Sequence, residues 1–263
     1  MTRFFADSSA ISGDLIQLSS DDTAHIRSLR LRPNEQFVVC DGEGTDYICK
    51  LSKAEDGSAF GNESLAEIIE PRPSKGESSI KCSVFIGLAK GDRMEYAIQK
   101  SVELGAHEIK LFPSERCIAI PKDMSKKTLR LQKIALETSK QCGRGIIPQV
   151  TTLDSYESAI EQAAQADIPL FFYECEEKAD LKSVLEQQSA RAAQTAQTAQ
   201  TAPNTSQSIS IFTGPEGGFA AHEAEIAASK GMLAVTLGPR ILRCETAPVA
   251  ALATIMFYTG NLS

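Results

Sequence analysis

The 263-residue chain predicts an α/β protein with a smaller, β-rich front end. Three observations carry that reading. Residues 1–70 hold short apolar runs punctuated by turn residues, a proline- and glycine-containing break follows at 71–76, and from residue 80 onward strand-like runs alternate with helical segments. Short strands separated by turns argue for a small barrel or sheet. Strand–helix alternation argues for a mainly parallel sheet with helices on its faces.

The front end is read from hairpin chemistry. Phe37–Cys40 is a strand, Asp41–Gly44 a turn, and Tyr47–Leu51 the returning strand. Pro71-Arg72-Pro73-Ser74-Lys75-Gly76 interrupts any regular element, so residues 1–72 form one expected domain, 73–79 a linker and 80–263 a second domain. In the second domain Cys82–Leu88 is a strand. Asp92–Leu104 is a helix whose Met94, Ile98, Val102 and Leu104 lean to one side, with Gly105 as its stop. Ile109–Phe112 is a strand, and Ser125–Cys142 a basic helix ended by Gly143. Asp154–Ala166 (helix), Ile168–Tyr173 (buried strand), Ala179–Ala190 (helix) and Ile209–Phe212 (strand) follow. Ala221–Lys230 is a helix stopped by Gly231, Leu233–Leu237 a strand, and Ala247–Tyr258 the last helix, with Pro248 in its first turn. Residues 189–208 contain AQTAQTAQTAPNTSQS and lack any large apolar side chain, so they are expected to be a flexible insertion.

Composition excludes several classes. Hydrophobic residues at 42% and charged residues at 23% are ordinary for a globular chain. No apolar run approaches the roughly eighteen residues of a membrane span. The start, MTRFFADSSAISGD, meets Asp7 and Asp14 before any long apolar stretch and makes a poor signal peptide, which points to a cytoplasmic protein. Seven cysteines without a CxxC pair fit reduced thiols, and three scattered histidines show no metal-ligand spacing, so no metal is expected. A net charge of −7 argues, taken whole, against nucleic acid. The charge is uneven, however. Lys90–Arg144 holds twelve basic and seven acidic residues, a local +5, against −12 elsewhere. The basic groups Arg93, Lys126, Lys127 and Arg130 there, and Arg27, Arg30 and Arg32 beside His25, are candidate phosphate contacts; a solvated helix face is the plainer reading.

Two glycine-containing loops follow the last two strands: GPEGGF at 214–219 and LGPRILRCETA at 237–247. Loops beyond the carboxyl ends of parallel strands are where α/β sheets bind ligands. Neither is a P-loop or a GxGxxG fingerprint. Arg240, Arg243 and Glu245 sit among apolar residues, where charges need partners or water. They make either an internal ion pair, Arg243 with Glu245 or Glu216, or a polar site. Glu245 alternatively caps the last helix.

These two motifs together resemble the signature of the RsmE family of 16S ribosomal RNA uridine-N3 methyltransferases, within the SPOUT superfamily. KGDRMEYAIQKSVELGAHEI at 90–109, ETSKQCGR at 137–144 and HIRSLRLRPNEQFVVCDGEGTDY at 25–47 resemble further family segments, in order along nearly the whole chain. The resemblance implies a PUA-like RNA-binding β-barrel in front, a SPOUT domain with a deep trefoil knot behind, and a homodimer. It implies S-adenosylmethionine as donor, held by Gly214, Glu216, Gly217 and Gly218 from one loop and Leu237, Gly238, Ile241 and Leu242 from the other. The substrate would be 16S rRNA, in the small ribosomal subunit. Arg243 or Arg144 is expected to stabilise charge developing on the uridine, with Glu245 orienting that arginine or taking the N3 proton. Cys244 stands where the family usually has Thr, and Thr138 where Ala is commoner. The AQT segment is not a family feature. N3 methylation needs no covalent adduct, so Cys142 and Cys244 are read as incidental rather than nucleophilic. Two other readings are tRNA ribose 2′-O-methylation and a noncatalytic RNA-binding assembly factor.

Overall fold

The computed structural model describes residues 1–262 except 33, 53–63, 119–122, 177–178 and 199–206. The chain divides into two compact units: Met1–Glu77 with Leu136–Ile147, and Ser78–Ala135 with Pro148–Ser263. This differs from the contiguous division expected at 73–79, because residues 136–147 pack with the front end.

The first unit holds β1 (Arg3–Phe5), β2 (Ile11–Ser12), β3 (Leu15–Gln17), α1 (Ser20–Ser28), β4 (Phe37–Cys40), β5 (Thr45–Leu51) and β6 (Leu65–Pro73). They form one sheet in the order β1-β4-β5-β6-β3-β2. The hairpin is where hairpin chemistry puts it. Asp41 Oδ1 accepts from the Glu43 and Thr45 N–H groups at 2.8 and 3.0 Å, and Gly42 (φ +77°) and Gly44 (φ +106°) take the left-handed conformations of its turn. Phe4, Ile16, Ile26, Phe37, Val39, Cys49 and Leu51 fill its core.

The break expected at Pro71 is not there: β6 runs through Pro71 and Pro73, which lie opposite Tyr47 and Thr45 of β5. The reason is the ladder's polarity. Ser74 N–H donates to Gly44 on the β5 side at 2.8 Å, so the nitrogens of Pro73 and Pro71 point to the other edge. Among the described residues β3 pairs with residues 65–67 and no strand pairs with that edge at Pro71 or Pro73.

Two carboxylates organise this unit. Asp46 takes both Arg3 guanidinium nitrogens at 2.6 Å and the Ser74 hydroxyl. Glu77 takes Arg144 Nη2 at 2.7 Å and the Gly145 and Ile146 N–H groups at 2.8 and 3.0 Å.

The second unit holds β7 (Lys81–Gly87), α2 (Arg93–Glu103), β8 (Glu108–Phe112), α3 (Met124–Cys142, its end lying in the first unit), β9 (Gln149–Thr152) and α4 (Tyr156–Ala163). It continues with β10 (Ile168–Phe172), α5 (Leu181–Thr198), β11 (Ser208–Thr213), α6 (Ala221–Ser229), β12 (Leu233–Val235) and α7 (Thr246–Tyr258). All its ladders are parallel, in the order β12-β10-β11-β7-β8-β9. Side chains alternate between two cores, as strand pleating requires. Val84, Ile86, Leu111, Ile209 and Ile211 join the residues of α2 and α7 on one face. Phe85, Phe112, Phe171 and Phe212 pack with Phe219, and with Tyr156 edge-on, on the other. β9 escaped the sequence reading because it is four residues with one large apolar side chain. The flexible insertion expected from 189 is corrected in part: α5 continues to Thr198, since alanine's helix propensity outweighs the interspersed threonines. The remainder of that expectation, 199–206, lies outside the described residues.

Burial alone would raise the Asp46 carboxyl, but the Arg3 and Ser74 hydrogen bonds outweigh it and hold it below the usual carboxylate range. A depressed folded value means the contribution is full above the ordinary aspartate value and fades as pH falls through the folded one. Asp46→Asn is therefore expected to cost about 3 kcal/mol at neutral pH, as breaking a buried pair does. It is also expected to flatten the loss of stability below about pH 4. Urea unfolding of wild type and variant at pH 7 and pH 3 measures both effects.

Candidate active site

β10, β11 and β12 lie side by side and end at nearly one level, with Phe171 opposite Phe212 and Phe172 opposite Val235. The segments leaving them line a cavity of about 980 Å³. Its walls are Tyr173–Glu174 and Glu176 after β10, Gly214–Gly218 after β11, and Thr236–Glu245 after β12, together with Arg93. All eight residues read as donor-binding lie on it: Gly214, Glu216, Gly217, Gly218, Leu237, Gly238, Ile241 and Leu242. Arg243 and Glu245 lie on it as well.

The first loop is pinned at both ends. Thr213 Oγ donates to the Phe85 carbonyl at 3.3 Å, and Phe219 is buried against Phe171 with ring centres 4.5 Å apart. Beyond it, the buried Glu223 carboxylate accepts from Ser114 Oγ at 3.0 Å, from the Glu115 N–H at 3.0 Å and from the Ala220 N–H at 2.9 Å. This ties the loop after β8 to the entrance of α6 and fixes the frame from which the glycines hang. Gly218 has φ +66°, and a Cβ there would overlap the Glu174 carboxylate. The exposed Glu174 side chain can move aside, so it is the positive φ that favours glycine there. In the second loop Gly238 has φ +98° with open space around it.

The charged groups pair differently from the sequence expectation. Glu216 does not meet Arg243. Its Oε1 accepts from the Lys90 N–H and from Arg93 Nη1, both at 2.8 Å. Burial opposes the Glu216 charge, but the Lys90 N–H and the Arg93 guanidinium outweigh it and lower its titration below the usual range. Its Oε2 is buried and has no partner among the described residues. Glu245 directly precedes α7 but makes no side-chain cap bond, which removes the capping reading. Instead its Oε2 accepts from Cys244 Sγ at 3.2 Å and faces Arg93 Nε at 3.9 Å. Burial and the adjoining Glu245 push the Cys244 thiol up to about 12, so it stays protonated at neutral pH and is a poor nucleophile. Arg243 is exposed and forms no ion pair among the described residues.

Apart from Arg93, the remaining candidates are not among the residues lining the cavity. Arg144 belongs to the first unit, is buried, and is engaged by Glu77. Arg27, Arg30 and Arg32 are exposed in the first unit, Arg30 with φ +54°. Lys126 is exposed and Lys127 half-buried on α3, and Arg130 pairs with Glu95 at 2.8 Å. Arg93, read as a phosphate contact, faces two carboxylates of the cavity. Sequence reading also missed Glu174 and Glu176, whose only signal was their place just beyond β10. Among the described residues no histidine lines the cavity, and no cluster of three His, Cys, Asp or Glu side chains is set to hold a metal ion.

Comparison with known proteins agrees with this site. Residues 76–256 match the family described as RNA methyltransferase domain, and residues 18–72 the RNA methyltransferase PUA domain. The chain is thus built as an RNA methyltransferase joined to a PUA domain. It is 31% identical over 93% of its length to ribosomal RNA small subunit methyltransferase E of Bacillus subtilis, covering 91% of that protein. It is 30% identical over 95% of its length to the protein of that name from Mesomycoplasma hyopneumoniae, covering 96% of it. A crystal structure of the Neisseria gonorrhoeae enzyme of that name, bound to S-adenosyl methionine, superposes with a TM-score of 0.78 at 29% identity, covering 98% of each chain. The chain belongs to the ribosomal RNA small subunit methyltransferase E family.

Gly238→Ala is expected to cost about 1–3 kcal/mol, because its φ of +98° lies well outside the left-handed well open to an L residue. Gly218→Ala, at φ +66° and facing only the exposed Glu174 carboxylate, which can swing aside, costs less. Paired urea denaturation curves give the difference.

Proposed function

We propose that this chain transfers the methyl group of S-adenosylmethionine to N3 of a uridine in 16S rRNA of the small ribosomal subunit. The observation that carries the reading is the convergence of the 214–218 and 236–245 loops on one cavity. The residues there fit this donor. Gly214, Gly217 and Gly218 make a wall of bare backbone, Leu237, Ile241 and Leu242 offer apolar surface to an adenine, and Glu216 carries a buried carboxylate oxygen lacking a donor. Carboxylates also suit a ligand bearing a sulfonium and an ammonium. When bound, S-adenosylmethionine supplies an electrophilic methyl group on a positively charged sulfur.

The chain's own residues have three tasks. The uracil must be presented unpaired, because N3 lies on its Watson–Crick edge. The N3 proton must leave, and Glu245, oriented by the Cys244 thiol, is the carboxylate we assign to take it. Negative charge then spreads over N3 and the uracil oxygens, and Arg243, exposed on the rim without an ion pair among the described residues, stabilises it. Arg144 takes no part, its guanidinium being committed to Glu77. Orientation does the rest of the work, since the step is an in-line displacement.

RNA is held through phosphates by Arg27, Arg30 and Arg32 of the first unit and by Lys126, Lys127 and Arg130 of α3. The reading includes a barrel-like PUA domain and a SPOUT fold with a deep trefoil knot. In support, β12 pairs with β10 and not with its predecessor β11. It includes a cytoplasmic homodimer, for which exposed Phe257 and Leu262 are available apolar surface. Among the described residues no helix is long and apolar enough to cross a membrane.

The test is methyl transfer from labelled donor to small subunits, free 16S rRNA and tRNA, all from a strain lacking the enzyme. Label on small-subunit RNA with a reverse-transcription stop at one uridine is expected. Label on tRNA alone defeats the reading, and no donor binding at all favours an assembly factor. Arg243→Ala is expected to slow transfer about a hundredfold or more, the scale of losing one charge-stabilising donor. A change of only a few-fold in a folded variant assigns the role elsewhere. Reversing Lys126 and Lys127 to Glu is expected to weaken RNA binding and reduce the slope of log affinity against log salt. An unaltered slope removes these lysines from the interface.

A further inference from the structure

We infer that Arg93 is a positioning residue of the donor site, clamping the Glu216 and Glu245 carboxylates so that the loops after β11 and β12 form a single wall. The inference rests on the proposed function, since it concerns what the clamped wall binds. Three segments far apart in sequence meet at this one guanidinium. Arg93 opens α2 just beyond β7, Glu216 lies in the loop after β11, and Glu245 lies before α7. Nη1 donates to Glu216 Oε1 at 2.8 Å, and Nε lies 3.9 Å from Glu245 Oε2.

The chemistry requires such a cation. Glu216 and Glu245 are 15% exposed or less and approach the same point, and two carboxylates sharing a partly desolvated site repel unless a cation lies between them. The Lys90 N–H and Arg93 together saturate Glu216 Oε1, while Oε2 is buried without a donor among the described residues. An unpaired buried acceptor is unfavourable. That cost is removed when a ligand supplies the missing donor to an oxygen already held in place. A planar guanidinium can address two carboxylates through different nitrogens at once, whereas an ammonium acts as a point charge. The same geometry disfavours Arg93 as a phosphate contact. A phosphate would have to draw it away from Glu216 and would approach two carboxylates in doing so.

The test uses the full chain carrying Arg93→Ala, Arg93→Gln or Arg93→Lys. S-adenosylmethionine binding is followed by calorimetry, steady-state KM for donor and for RNA is measured separately, and RNA affinity is measured across a salt series. Expected are a rise of about tenfold or more in donor Kd and donor KM for Ala and Gln, partial recovery with Lys, and an unchanged RNA salt slope. Donor binding unchanged in all three variants overturns the inference. So does a salt slope reduced by about one unit, the mark of one lost phosphate contact. Failure of the wild-type chain to bind the donor overturns the functional reading and this inference with it. Wild-type binding matched by Arg93→Gln overturns this inference alone.

Discussion

Parallel strands deliver their outgoing loops to the same edge, so neighbours in a parallel sheet must share the space beyond their ends. β10, β11 and β12 are such neighbours, about 4.8 Å apart in sequence of pairing. The position of β12 is the sensitive part. It is three residues long, pairs only with β10, and is held by the buried Val235 and a bridge from Thr236 to Asp180. Were it attached at the far edge beside β9, three strands instead of one would separate the LGPRILRCETA loop from the GPEGGF loop, and no common cavity would exist. The stacked rings of Phe85, Phe112, Phe171 and Phe212 pack one face of the sheet across β7, β8, β10 and β11.

Three glutamates near this edge show how partner sets separate structure from chemistry. Glu223 is surrounded by donors from Ser114, Glu115 and Ala220, with both oxygens engaged, and contributes a brace between two loops. Glu216 has one oxygen doubly engaged and one orphaned. Glu245 has a thiol and a more distant guanidinium. A fully satisfied buried carboxylate has nothing left to offer a ligand, whereas a partly satisfied one does. The gradient from Glu223 to Glu245 follows the path from the protein interior to the cavity wall.

What was legible in the sequence follows from range. Most second-unit strands and helices carry strong local periodicity, and apart from the end of α5 their ends are legible to within a few residues. The loops at 214–219 and 237–247 were legible because glycine and charge within a few positions announce a strand end with a special backbone. β1, β2, β3 and β9 were not, since two to four residues give no period to read. β6 was obscured by Pro71 and Pro73, whose tolerance depends on which edge their nitrogens face, a property of the neighbouring strand. Arg93 was misplaced for a similar reason. A basic residue in a basic stretch looks like a phosphate contact until a carboxylate 123 positions away is seen against it. The ETSKQCGR segment likewise reads as part of the second domain, although its Arg144 packs with Glu77 of the first unit.

The net charge of −7 can now be argued with partners in view. Of the basic groups between Lys90 and Arg144, Arg93, Lys100, Lys110, Arg130, Lys140 and Arg144 are each paired with a carboxylate within their own unit. Their charge is largely spent on the fold. Lys126, Lys127 and Lys133 on α3 have no ion pair among the described residues, and exposed Leu129 lies between them in sequence. The six groups proposed as phosphate contacts, Arg27, Arg30, Arg32, Lys126, Lys127 and Arg130, would give a salt slope of about −4 to −5. Such contacts position RNA without reading its sequence. Under the proposed function, selection of one uridine therefore falls to the geometry of the cavity, and the basic footprint serves only to bring the RNA to its rim.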